Sequence, residues 1–212
     1  MAKIGQGIFG GIQGKLGNLV GSSWKGVNVL KTKPQSVANP RTAPQVAQRD
    51  KMTGVVTVAV LFLSVFIKAL WDRFASRMSG YNMFVKANIS CFSDGVFTNF
   101  ADFVISQGKM ASTIPASQTI NRTANTLTFT WLNESGIGFK LASDVLYAVA
   151  YNETSGEWAV NCGTLLRSEL TAEFAFNTDI EIGDVIHWYS TFKRSDGTIV
   201  ASSLYRTATV LA

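Results

Sequence analysis

From about Asp102 onward the chain alternates polar and apolar residues with a period of two, and this alternation is its tightest constraint. A strict two-residue period marks a strand with one buried face and does not suit a helix. Thr126-Leu127-Thr128-Phe129-Thr130-Trp131 keeps it without a slip. Further strands are expected at Asp144–Tyr151, Glu157–Cys162, Leu170–Phe176, Asp184–Phe192 and Ser203–Val210. Asn133-Glu134-Ser135-Gly136, Asn152 to Gly156, Ile182-Gly183-Asp184 and Ser195-Asp196-Gly197 supply the turns between them. With no helical pattern in between, residues 101–212 are expected to form an antiparallel β-sandwich of immunoglobulin or fibronectin type. A Cys-Trp-Cys signature is missing, so this expectation concerns architecture only.

Residues 42–100 read as helical. Asn39-Pro40 excludes a helix before it, and Thr42 is placed to cap one, with Gln45 reaching back. The helix is expected to run through Gln48 and Arg49 into Val55, Val58, Leu61, Phe62, Val65, Phe66, Ala69 and Phe74, spaced by three and four. Sixteen uncharged residues, Met52 to Ile67, lie between Lys51 and Lys68. That run is slightly short of the roughly 17–25 residues of a spanning helix, and Thr53, Gly54, Thr57 and Ser64 dilute it, so burial in protein is expected rather than lipid. Ser79-Gly80-Tyr81-Asn82 reads as a break and a new cap before a short helix, Tyr81 to about Ile89. The fold class expected is therefore α+β, with one long and one short helix.

Residues 1–41 are different again. Eight glycines fall within residues 1–26, a density that resists a helix and suggests an extended, basic arm or an irregular ribbon. Over residues 1–86 twelve Lys/Arg face only Asp50 and Asp72, a net of +10. The remaining seven basic and twelve acidic residues leave −5, and no acid precedes Asp50. Such a segment is expected to touch an anionic partner, nucleic acid or an acidic protein surface. The candidate partner-binding residues are Lys15, Trp24, Lys25, Lys31, Lys33, Arg41 and Arg49. Trp24 beside Lys25 suits either stacking on bases or anchoring in a partner's pocket. Gly5 to Gly10 has the spacing of a dinucleotide fingerprint but lacks room for the strand before it, and Gly14-Lys15 lacks the companion residues of a phosphate loop. The start carries no continuous apolar run of a secretory signal.

Candidate chemistry is sparse. His187 is the single histidine, and Cys91 and Cys162 are the only cysteines, too few for a Cys/His zinc site or a disulfide framework. His187 is expected to be an ordinary strand residue on the face opposite Ile186 and Trp188, and the cysteines small apolar fillers. Glu169, Glu173, Asp179, Glu181 and Asp184 recur near loops without calcium-loop spacing, so a solvated rim is expected. No catalytic residue, cofactor or metal is predicted.

Gly10-Gly11-Ile12-Gln13-Gly14-Lys15-Leu16-Gly17-Asn18-Leu19-Val20-Gly21-Ser22-Ser23-Trp24-Lys25-Gly26, then Ala38-Asn39-Pro40-Arg41-Thr42, Gln45, Ala47-Gln48-Arg49 and Ser79-Gly80-Tyr81-Asn82-Met83-Phe84, form a recognisable set. Over roughly residues 3–90 they resemble a family of uncharacterised proteins from Bacteroidota genomes and their bacteriophages, and the N-terminal signature is similar to that of small virion-associated phage proteins. Pro44 departs from the usual Arg-Thr-x-x-Gln pattern. The resemblance implies a non-enzymatic structural component of a phage particle, capsid- or tail-associated, contacting other virion proteins as a homo-oligomer in a symmetric assembly. It implies location in the virion, and in the host cytoplasm during assembly. A nucleic-acid-binding protein using the basic arm, or a membrane-associated adhesion module, are the alternatives.

Overall fold

The computed structural model describes residues 2–4, 13–36 and 39–211, the first three by their backbone only. The fingerprint-like Gly5–Gly10 stretch, and the Gly10–Ile12 and Ala38 parts of the motif set, lie outside the described residues. The chain is α+β and every named strand ladder is antiparallel. It opens with β1 (Ala2–Ile4), β2 (Gly14–Leu16), β3 (Leu19–Trp24) and β4 (Val27–Thr32), a sheet in the order β1-β4-β3-β2. Where an extended arm or ribbon is expected, the described residues thus pair with one another.

Helix α1 (Ala43–Leu61) begins where the Asn39-Pro40 pair predicts, at Thr42, but the cap differs from expectation. The Thr42 side chain makes no cap bond; its carbonyl instead accepts from the Gln45 and Val46 amides at 3.0 Å. Pro44 has removed one of the amides such a side chain would serve. The expected single helix to Phe74 is broken. After α1 a π-helical turn, Leu63–Ile67, leads to the short α2 (Lys68–Leu70), and the two halves are bent by 67°. The Ile67 amide donates five residues back to Phe62 at 3.0 Å, so the extra residue rotates the following turn. That rotation lets Phe62, Phe66, Ile67, Leu70 and Trp71 all be buried. Among the described residues no single helix is long and apolar enough to cross a membrane. Ser79 caps α3 (Gly80–Asn88) as predicted, its Oγ accepting from the Asn82 amide at 3.2 Å. A hairpin of β5 (Phe92–Ser93) and β6 (Val96–Phe97) follows, packed so closely on α1 that a Cβ at Gly54 would lie 2.7 Å from the Gly95 carbonyl oxygen.

The remaining strands are β7 (Pro115–Asn121), β8 (Thr126–Trp131), β9 (Val145–Asn152), β10 (Trp158–Leu166), β11 (Thr171–Ala175), β12 (Val185–Lys193) and β13 (Leu204–Thr209). Two sheets result, β10-β9-β12-β13 and β11-β8-β7. Period two sorts the first sheet's side chains between two cores. Leu146, Ala148, Ala150, Ile186, Trp188 and Phe192 meet Leu127, Phe129, Trp131 and Phe174 of the second sheet. The intervening Tyr147, Val149, Tyr151 and Tyr189 turn the other way, onto Phe62, Phe66, Phe84 and Phe103 of the helical layer. The helical residues 42–100 and the sheets of residues 101–212 therefore share a core, in three layers.

Many of the polar groups buried in these layers are paired, although Asp144 Oδ1 has no hydrogen-bond partner among the described residues. Indole Nε1 of Trp71 donates to the Ile105 carbonyl at 2.7 Å, that of Trp131 to Arg167 at 2.8 Å, and that of Trp188 to Gln118 Oε1 at 3.0 Å. Arg167 and Asp144 are wholly buried; Nε donates to Oδ2 at 3.2 Å, the guanidinium lies 4.0 Å from the Phe192 ring centroid, and Thr113 accepts from Nη1. Replacing Asp144 with Ala strands that guanidinium in the interior, and urea unfolding should show a loss of about 3–5 kcal/mol. Gly54→Ala improves helix propensity by up to ~1 kcal/mol yet should still lower the unfolding midpoint, because the added methyl displaces the β5–β6 hairpin at a cost of roughly 1–3 kcal/mol.

Candidate docking surface

The N-terminal sheet is built by two-residue turns. Leu16 pairs with Leu19 around Gly17-Asn18, and Trp24 pairs with Val27 around Lys25-Gly26. Lys25 and Gly26 have φ of 46° and 78°, the left-handed pair a tight hairpin of this length requires. Register then assigns the faces, since directly paired residues share one. Lys15, Val20 and Lys31 line up on one face, together with Ser22, Trp24, Val27 and Val29. Leu16, Leu19 and Leu30 share the other, with Gly14, Gly21 and Asn28.

Both faces thus carry aliphatic side chains, and the two buried cores of the protein contain none of them. Leu16 is 56% exposed and Trp24 51%. Val20, Val27, Val29 and Leu30 are half-buried. At the hairpin tip the Lys25 ammonium donates to the Met78 carbonyl and lies 5.7 Å from the Trp24 ring centroid. A sheet of this size ordinarily needs a packed face for stability, and here, among the described residues, Leu16 and Trp24 are exposed and the other aliphatic side chains only half-buried.

Of the residues the sequence singles out, Lys15, Lys31 and Trp24 are brought onto one face, Lys25 sits at the tip, and Lys33 follows β4 with its amide donating to Asn18 at 2.7 Å. Arg41 and Arg49 are not part of this sheet: Arg41 precedes α1, and Arg49 on α1 donates to Asn39 Oδ1. All seven are exposed. The aliphatic residues are the part that charge counting misses. The signal that finds them is the pair of turn dipeptides, Gly17-Asn18 and Lys25-Gly26, each between short β-rich runs.

Elsewhere, His187 and the two cysteines are enclosed by other side chains to different degrees. His187 stacks on Phe100 with ring centroids 3.9 Å apart and 8° between planes. Its Nδ1 is 2.9 Å from the Tyr205 hydroxyl and its Nε2 3.1 Å from Glu153 Oε2, so both nitrogens and one ring face are engaged. Burial pushes the Cys91 thiol up to about 11, away from the reactive thiolate, and raises Cys162 as well. Among the described residues no group of three or more His, Cys, Asp or Glu is placed to hold a metal ion.

Glu153, Glu157, Asp179 and Glu181 lie toward one end of the two sheets, whereas Glu169 bonds the Leu166 amide at the other. Glu157 receives the Asn177 and Thr178 amides at 2.8 and 2.9 Å, the Asn177 side chain at 2.7 Å and the Thr178 hydroxyl at 2.6 Å. Partial burial alone would raise its pKa; these four donors outweigh that and hold it at about 2. In the comparisons with known proteins, the model of a family of unknown function (DUF6266) matches residues 11–207. Neither a curated protein nor a solved structure matches.

A carboxylate held below its ordinary 4.5 stabilises the fold above that pH, and the contribution is lost as pH falls toward about 2. Thermal melts of wild type and Glu157→Gln should accordingly differ most at neutral pH, with the gap closing between about pH 4.5 and 2.

Proposed function

We propose that this chain, which belongs to the family of unknown function DUF6266, is a non-enzymatic structural subunit of a bacteriophage particle, capsid- or tail-associated, acting in the virion. The N-terminal sheet docks it onto other virion proteins, and the seven strands β7 to β13 present a sandwich of fibronectin or immunoglobulin type. The observation that carries this reading is the N-terminal sheet itself, aliphatic on both faces, fringed by Lys15, Lys25, Lys31 and Lys33, and outside both cores. A partner surface that covers it removes apolar area from water at about 25 cal/mol per Å² while the lysines reach acidic groups around the rim. Within a symmetric particle many such contacts act together, so each is required to be only weak.

The three-on-four arrangement of β11-β8-β7 against β10-β9-β12-β13 supports the sandwich assignment, because domains of that type divide seven strands in this way. The aliphatic character of both faces of the N-terminal sheet favours a protein partner over nucleic acid, whose recognition calls for cations along the whole track.

Deleting residues 1–33 should abolish incorporation into particles, read by mass spectrometry of purified virions, while circular dichroism shows the remaining sheets folded. Normal incorporation of the truncated chain overturns the docking role. Retention of single-stranded DNA on a filter at low salt by the intact chain, lost on truncation, would instead favour the nucleic-acid reading.

A further inference from the structure

The two ends of the central sheet differ in kind. At one end β9 finishes at Asn152, β12 starts at Val185 and β13 finishes at Thr209; at the other, Val145 pairs with Lys193. Strands of this length separate the ends by roughly 26 Å at about 3.3 Å per residue.

The first end is acidic. Glu153, Asp179 and Glu181 are exposed there and Glu157 is half-buried, with Arg122 in the neighbouring β7–β8 turn. Beside it α1 contributes Asp50 and Lys51, of opposite sign. Two large apolar side chains stand out among these acids, Ile182 at 56% exposure and Leu211 at 78%. The Gly183 amide donates to the Val210 carbonyl at 3.0 Å, which keeps the segments bearing them side by side.

The second end is basic and concave. A groove of about 760 Å³ is lined by Phe74, Phe139 and Ile199 with Lys109, and it continues past Gln107 toward Met83 and Lys86. Lys193 and Arg194 lie on its margin, and Arg73 donates to the Asp196 carbonyl at 3.1 Å. Asp196 is the acid facing this group from the β12–β13 turn; Glu134, farther along, is held by Lys140. Phe139 is 56% exposed and Ile137 beside it 65%, so the groove is open to a partner.

We propose that a second copy of this chain is the occupant: the acidic end of one copy, with Ile182 and Leu211, seats on the basic groove of the next, head to tail. Opposite charge and matching apolar content on the two ends argue for self-association over an unrelated partner. The contact is heterologous, since two different surfaces meet, and repetition yields a ring or an open filament. It uses the body of the chain; the N-terminal sheet meets the far end of this groove through Lys25, which donates to the Met78 carbonyl, and neither variant below alters that sheet, so failure here leaves its docking role standing.

Two half-blocked variants of the full chain test it. Asp179→Lys with Glu181→Lys blocks the acidic end, and Lys86→Glu with Lys109→Glu blocks the groove. Sedimentation velocity in low salt should show wild type forming oligomers that dissociate in high salt, and each variant alone should be monomeric. Mixed in equal amounts, the two variants should form a one-to-one dimer, because each retains the end the other lacks, and that dimer also shows both are folded. A monomeric wild type in low salt, oligomers of either variant matching wild type, or a mixture that stays monomeric overturns the proposal. So does a symmetric dimer that persists in both variants.

Discussion

Burial of both faces of one sheet governs the architecture. Along β12 the residues from Ile186 to Phe192 are all inside, and they divide by parity between the second sheet and the helical layer. Covering only one face would leave Tyr147, Val149 and Tyr189 in water; covering both forces α1 to follow the sheet surface. The π-helical turn at Leu63–Ile67 is how a helix with more apolar residues than one stripe can hold meets that requirement. Residues 42–100 are thereby a layer of the same body as the two sheets, joined to them by edge-to-face contacts such as Phe62 with Trp158 at 5.0 Å and Phe66 with Tyr147 at 6.2 Å.

The second sheet is polar on its outer side, where Thr128, Thr130 and Glu173 face solvent, and it therefore ends the stack. Polar groups taken inside are anchored individually. Arg167 bridges the Asp144 loop, Thr113 and the Phe192 ring from a position with no solvent, and its neighbour Leu170 adopts φ of 63° to return the chain into β11. Asn88 performs the same service between the helical layer and the following loop, donating to Phe84 and Val104 and accepting from the Val104 amide. These contacts fix loops that the apolar pattern leaves free.

What was legible in the residues follows from which forces are local. Thr126–Trp131 matches its alternation end to end, and Ser79 caps its helix, because pleat and cap are set by a few neighbours. The break after Leu61 was not legible: apolar spacing continues through the π turn, and only the sheet beneath decides where the helix bends. Strand β7 leaves no mark in the sequence because Ser117, Gln118 and Thr119 lie at a sheet edge with little buried, and so carry no alternation. At the N-terminus the cations were visible by sign alone. Their arrangement was not, since Val27-Asn28-Val29-Leu30 shows no clean period and the face each residue takes depends on the partner strand.

The pairing of β2, β3 and β4 spans fewer than twenty consecutive residues and closes through two turns of two residues each. Contacts so near in sequence form on the microsecond scale, well ahead of the long-range β9–β12 ladder. The two turns of this small sheet therefore close ahead of the long-range ladders. Its aliphatic sides, which belong to neither buried core, are then in water while the long-range ladders are still forming, and that interval is when the chain is most open to miscarriage.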